Sequence, residues 1–182
     1  MSEVHFTVVG GGERTITVRY ALNAGYAGRD TAQVQHHVDE LAMLGVPVPS
    51  RVPTLYPLSA NLIAQVTEIQ VQHERTSGEA EWALVVGDDE HDLLLTASCD
   101  HTDRALEVHG VAWSKQSAPD CLGDVAWRLA DSDDDLDSFT LKAWVRHGKP
   151  RNSSRKAPSP SCYHRRTGWR NCGQRTCCAP AR

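Results

Sequence analysis

The sequence predicts an α+β fold, dominated by strands and carrying few helices. Segments that alternate apolar and polar residues outnumber segments with helical spacing, and they do not follow the regular strand-helix-strand order of a parallel α/β sheet. The chain has 182 residues, 40% of them hydrophobic, and no internal repeats. That length suits one domain with an appendage.

His5 to Val9 and Arg14 to Tyr20 alternate around Gly10-Gly11-Gly12, the pattern of a hairpin. The triple glycine lacks the Lys-Ser/Thr pair and the helix that a phosphate loop needs. Asp30 or Thr31 caps a helix running to about Leu44, with an apolar stripe of Val34, Val38, Leu41 and Leu44, ended by Gly45 and Pro47. His37 and Glu40 are neighbours on the edge of that stripe, three residues apart, whereas His36 points elsewhere. Four prolines between Gly45 and Pro57 predict a stiff, extended connection. Leu62 to Gln72 alternates as a strand does. Glu79 to Gly87 reads as a strand that becomes fully buried, Leu93 to Cys99 as another, and Phe139 to Val145 as a third. A short helix is expected from Asp103 to Val108 and a longer one from Leu122 to about Ala130.

Charge divides the chain. All 23 acidic residues lie at or before Asp137, beside eight basic ones, a net of −15; eleven Lys and Arg and no acid follow. A domain of residues 1–148 and a disordered basic tail of residues 149–182, rich in Arg, Ser, Pro and Cys, are expected. The tail's Cys162, His164, Cys172, Cys177 and Cys178 lack paired zinc-ligand spacing. Its charge implies salt-dependent contact with phosphates rather than a specific nucleic-acid partner. No window reaches the roughly 18 apolar residues of a membrane span, and the first residues lack the features of a secretion signal, so a cytoplasmic protein without a membrane partner is expected. Cys99 and Cys121 then read as reduced core thiols. His73, His91, His101 and His109 read as surface or loop residues, and the acidic run from Asp131 to Asp135 as a solvated helix end.

Residues two apart on a strand share a face about 6.6 Å apart, so Glu79 and Glu81 aim two carboxylates at one region. Such a pair is relieved by protonation or by a cation, to which Asp100, closing the next strand, would add a third oxygen ligand. A solvated strand edge accounts for the same spacing.

Gly78-Glu79-Ala80-Glu81 with the apolar run to Gly87 resembles the metal-binding strand of the fumarylacetoacetate hydrolase superfamily. Cys99-Asp100-His101-Thr102-Asp103-Arg104 resembles its Asn-Asp-x-Ser/Thr-x-Arg element, and Trp113-Ser114-Lys115 its lysine element. Gly28-Arg29-Asp30 and His37-Val38-Asp39-Glu40 resemble pieces of its lid helix. The resemblance implies a barrel-like mixed sheet, and the lack of a later Gly-Thr-Pro-x-Gly strand leaves that sheet incomplete at the C-terminus. It further implies Mg²⁺ or Mn²⁺ held by Glu79, Glu81 and Asp100, and a homodimer. The implied substrates are 2-oxo acids or acylpyruvates, whose carbon-carbon bond is hydrolysed or broken through a metal-stabilised enolate. Lys115 would supply a fixed positive charge and His37, oriented by Glu40, would move the proton. Arg29 and Arg104 would grip a distal carboxylate, although Arg104 serves equally as an ion-pair partner of Asp100 or Asp103. The alternative function is a catalytically impaired protein that binds a metal or ligand through the same cup.

Overall fold

A computed structural model describes residues 2–28, 30–131 and 139–145, and the backbone of two further strands at 161–164 and 176–178. The architecture is α+β, as the sequence predicts. The strands β1 (Ser2–Val8) and β2 (Gly12–Val18) form the hairpin, with Val8 paired to Gly12. Gly10 and Gly12 take φ of +72° and +80°, a region that side chains with a Cβ rarely adopt, which explains the glycine-rich loop.

The strand β3 (Ala21–Gly25) pairs antiparallel with β4 (Thr54–Leu58), a two-stranded sheet that the sequence reading does not contain. The prolines mark only part of the connection between Gly45 and Pro57 as irregular; Pro57 itself sits in β4, opposite Leu22. Gly25 is needed because a Cβ there would lie 2.7 Å from the ring of Tyr56. Between these strands runs the helix α1 (Thr31–Met43), whose N-cap Asp30 accepts hydrogen bonds from the backbone amides of Ala32 and Gln33. Of the expected stripe only Val38 is fully buried, while Leu44 is exposed.

A 3₁₀ turn (Ala60–Leu62) leads into a two-residue strand, β5 (Ile63–Ala64), after which residues 65–75 are irregular. The alternation from Leu62 to Gln72 therefore does not make a strand. Then follow β6 (Thr76–Ser77), β7 (Ala80–Val86), β8 (Leu93–Cys99), β9 (Thr102–Asp103), α2 (Arg104–Glu107) and α3 (Val111–Lys115). The helix α2 falls within the short helix expected from Asp103 to Val108, with Asp103 as its N-cap, and α3 is an addition to the sequence reading.

The expected helix from Leu122 is instead a nine-residue strand, β10 (Asp120–Arg128), in the middle of the main sheet. Leu122 faces Ser98 and Ala126 faces Thr96, so β10 takes four steps where β8 takes two. This irregularity resets the period of two and leaves Leu122, Val125, Ala126 and Leu129 at helix-like spacing. The bulge is tied down by Gln65, which donates from Nε2 to the carbonyls of Gly123 and His5, and by Thr96, which donates to the Val125 carbonyl.

The main sheet runs β2-β1-β10-β8-β7, with β5 paired to β10; β1 and β5 lie parallel to β10, and the other pairs are antiparallel. It is open: β7 ends it, and Leu84 and Val86 on that strand are exposed, which corrects the expectation that β7 is fully buried. No barrel closure joins its described strands. The core of Val4, Phe6, Val8, Ile63, Leu94 and Ala126 packs on one face, with Ile16, Val18 and Leu58 against it. The strand β11 (Thr140–Val145) forms as expected and pairs with the short strands β12 (Ser161–His164) and β13 (Thr176–Cys178). The acidic run beyond Asp131, and the tail apart from these two strands, lie outside the described residues. Among the described residues no helix is long and apolar enough to cross a membrane.

Candidate functional site

The side-chain network lies where β7 begins and β8 ends. Antiparallel pairing sets Ala80 opposite Cys99 and Glu81 opposite Ser98, and the Asp100 amide donates to the Glu79 carbonyl at 2.9 Å. Carboxylate oxygens of Glu79, Glu81 and Asp100 thereby come within 4.8 Å of one another. The three acids expected to form a cup do converge.

Lys115, at the end of α3, is buried in this cup. Its Nζ donates to Glu79 Oε2 at 2.7 Å, to Thr102 Oγ1 at 2.8 Å and to Asp100 Oδ2. Arg104, from α2, donates to Glu79 from Nη2, to both oxygens of Glu107 from Nη1 at 3.0 Å and to Ser77 Oγ from Nε at 3.0 Å. Its partners are thus Glu79 and Glu107 rather than Asp100 or Asp103. With all three groups of its guanidinium engaged, Arg104 positions Glu79 rather than standing open to a substrate carboxylate. Asn23, reaching in from β3, donates to Asp100 Oδ2 at 2.7 Å.

Charge in the cup is unevenly balanced. Burial favours a protonated Glu79, but Lys115 and Arg104 outweigh it and hold the carboxyl at about 2. Burial alone would lower the Lys115 ammonium, yet Glu79, Asp100 and Glu81 raise it above its ordinary range. Glu81, facing Asp100 without comparable help, is raised well above the carboxylate range by burial and by that neighbour. Burial also raises Asp100, and it pushes Asp120 up to about 8 with Asp100 adding to the effect. Asp120, only 5% exposed at the start of β10, is a member of the cluster that sequence reasoning missed. Both its carboxylate oxygens and Asp100 Oδ1 are buried without a hydrogen-bond partner.

These features fit a divalent cation. Five carboxyl groups (Glu79, Glu81, Asp100, Glu107 and Asp120) share two cations, Lys115 and Arg104, and hard oxygen donors are the ligands that Mg²⁺ and Mn²⁺ take. Orphaned buried oxygens are costly unless a cation or proton answers them.

His37 and Glu40 lie on α1, with His37 Nδ1 3.8 Å from Glu40 Oε2. His36 also approaches Glu40, at 3.6 Å, correcting the expectation that it points elsewhere. The ring of Tyr26 stands beside this pair, its centroid 6.1 Å from that of His37. Burial, with Tyr56 and Glu107 adding and Lys115 opposing, raises the Tyr26 phenol to about 12, so this ring lies within electrostatic reach of the cup. Tyr26 takes φ of +59°, the one described non-glycine residue in the left-handed region. It also walls a cavity of about 430 Å³ together with Thr31, Val34, Val52 and Pro53. Arg29 lies outside the described residues.

Of the remaining histidines, His101 is buried, not a surface residue, and its Nε2 shares a hydrogen bond with Thr76 Oγ1 at 2.5 Å. His73 is half-exposed and bonds through Nδ1 to the buried Asp103. Asn23, Tyr26 and Tyr56 carried no sequence signal toward the site, because β3 and β4 went unrecognised.

No curated protein and no solved structure matches the chain. The resemblance to the fumarylacetoacetate hydrolase superfamily is corrected by the family that does match. Paired glutamates, an aspartate and a lysine are the stock of many oxygen-ligand sites, so short motifs built from them do not by themselves establish descent. Residues 24–160 match the family described as "Protein of unknown function (DUF2848)", and the chain belongs to that family.

Proposed function

We propose that the chain is a divalent-metal-dependent enzyme acting on 2-oxo acids or acylpyruvate-type substrates, with Mg²⁺ or Mn²⁺ held by Glu79, Glu81 and Asp100. The observation that carries this reading is the convergence of three carboxylates within 4.8 Å around a buried lysine. A bound divalent ion supplies Lewis-acid polarisation of a keto oxygen and a counter-charge for the enolate that follows carbon-carbon cleavage. A 2-oxo acid suits such a site because its carboxylate and keto oxygens form a natural chelating pair.

The chain's own residues set the geometry. Asn23 fixes Asp100 and Arg104 fixes Glu79, so the ligand oxygens are held before anything binds. Lys115 presents a fixed positive charge where negative charge develops on the substrate. Tyr26 and His37, with Glu40 behind it, form the proton-handling side, and the cavity walled by Tyr26 accommodates the substrate's non-chelating arm.

Calorimetry of Mg²⁺ binding tests the reading directly. Glu81→Ala is expected to lose at least tenfold in affinity, and turnover of an acylpyruvate or oxaloacetate panel is expected to require the metal. Unchanged Mg²⁺ affinity in this variant would sink the assignment. A second reading is supported by the three acceptors that already satisfy the Lys115 ammonium: the cup is then a buried ion network that binds without catalysing. It predicts folding and ligand binding without metal-dependent turnover of any member of the panel.

A further inference from the structure

Two cysteines adjoin acids of the cup along the chain and project from the opposite face of the sheet. Cys99 closes β8 and Cys121 is the second residue of β10, and the antiparallel register sets them directly opposite each other. Opposite residues project from the same face, with Cβ atoms about 4.5–5.5 Å apart, and their Cα separation of about the same size lies within the 4.4–6.8 Å that a disulfide spans. Their outer neighbours are small: Ala80 lies beside Cys99 on β7, and Ala64 beside Cys121 on β5. Neither cysteine is in a disulfide. Cys121 is half-buried and Cys99 buried, so a small reagent meets Cys121 first.

We propose that Cys99 and Cys121 are a modification site, a dithiol that closes reversibly to a cross-strand disulfide by exchange with a small-molecule disulfide. The Cys121 sulfur attacks the reagent, breaking its S–S bond and releasing one thiol. The Cys99 sulfur then attacks Cys121 in the mixed disulfide and releases the second thiol. The two cysteine hydrogens end on the two thiols released, so the reagent is reduced by two electrons and the protein oxidised by two. Burial, with Cys99 adding to it, holds the Cys121 thiol at about 11, so little of it is thiolate at neutral pH and exchange is slow.

Closure has a consequence for the neighbouring acids. Asp100 follows Cys99 and Asp120 precedes Cys121. Bringing the Cβ atoms to the roughly 3.8 Å of a disulfide shortens their separation by about 1 Å and fixes the torsions of the two residues next to these carboxyl groups. Oxidation therefore couples to the geometry of the cup, a form of control that goes beyond the proposed activity.

The test uses the full chain with Cys162, Cys172, Cys177 and Cys178 replaced by serine, incubated with oxidised glutathione. Digestion without reductant is expected to yield a linked Cys99–Cys121 peptide that dithiothreitol releases, and the Asp100 amide resonance is expected to shift on linkage. Mg²⁺ affinity should fall about tenfold in the linked form. Cys121→Ser should abolish all three effects, and mapping the unaltered chain should give the same linkage, which guards against misfolding of the multiple variant. Failure to form the linked peptide, or its formation only in denaturing urea, overturns the proposal. A linked peptide with an unmoved Asp100 amide overturns the coupling to the cup. Since peptide and amide are read without metal, absent Mg²⁺ binding in the reduced chain would count against the enzyme reading alone.

Discussion

Strands β8 and β10 pass through two kinds of interior within one sheet. At one end Leu94 and Ala126 are wholly buried among Val4, Phe6, Val8 and Ile63; at the other, Asp100 and Asp120 are only 4% and 5% exposed. The apolar end is stabilised by area removed from water, about 25 cal/mol per Å². The charged end gains nothing comparable, because each ion must recover in partners what it lost in hydration, and Glu81 and Asp120 do not recover it. Equal burial thus serves different ends: the first region holds the sheet together, and the second depends on the first to keep like charges in proximity. Departures from the rules of stability concentrate at sites of function.

Two substitutions of similar expected cost separate these regions. Phe6→Ala removes a fully buried ring and should cost about 3–5 kcal/mol in urea unfolding, leaving Mg²⁺ affinity of the folded protein unchanged. Lys115→Met removes the cation shared by Glu79 and Asp100 and should also cost about 3–5 kcal/mol in metal-free protein, because it leaves buried carboxylates uncompensated. Here saturating Mg²⁺ should restore more stability than it adds to Phe6→Ala, because the ion also answers the carboxylates left without Lys115. Rescue of both variants to the same extent, or of neither, would erase the distinction.

A comparable effect, spread over several pH units, is expected on titration. Asp120 ionises at about 8 in the folded chain, against roughly 3.9 when unfolded. Between those values the folded state holds a proton that the unfolded state has released, so metal-free stability should fall as pH rises through this window and level off above it. Asp120→Asn should remove about one proton from that dependence, near 1.4 kcal/mol per pH unit, making the variant the more stable form at pH 8.5 but not at pH 4. Thermal unfolding across this range reads the difference. Parallel curves for the two proteins would show that Asp120 is not a buried acid of this kind.

What the sequence revealed of these regions depended on distance along the chain. Glu79 and Glu81 are two residues apart on one strand, and the strand carrying Asp100 is the next one, so local spacing was enough to bring them together. The hairpin and the short helix near Asp103 were legible for the same reason. Asn23 reaches Asp100 across 77 residues through a sheet whose second strand contains a proline, and Asp120 enters on a strand whose bulge imitates a helix. Periodicity records only a residue's own segment, and a bulge or a distant partner leaves no trace in it.

The helix α1 belongs to neither end of the sheet and offers the finest test of their separation. Its single fully buried residue is Val38, so little packing anchors it, and its first turn relies on Asp30 Oδ1, which accepts from Ala32 N at 3.0 Å and Gln33 N at 3.1 Å. Asp30→Ala should cost about 1 kcal/mol, whereas Asp30→Ser, which can cap the same amides, should cost a few tenths at most. Because the cap touches neither the apolar core nor the cup, Mg²⁺ affinity should stay constant in both variants. If His37 handles the proton, turnover should still fall in the alanine variant, because fraying of α1 loosens the element that holds His37 against Tyr26. Hydrogen exchange of the α1 amides, measured beside kcat and Mg²⁺ affinity, distinguishes the cases: faster exchange with unchanged turnover would remove His37 from the reaction, and a loss of Mg²⁺ affinity would show that the cup extends to this helix.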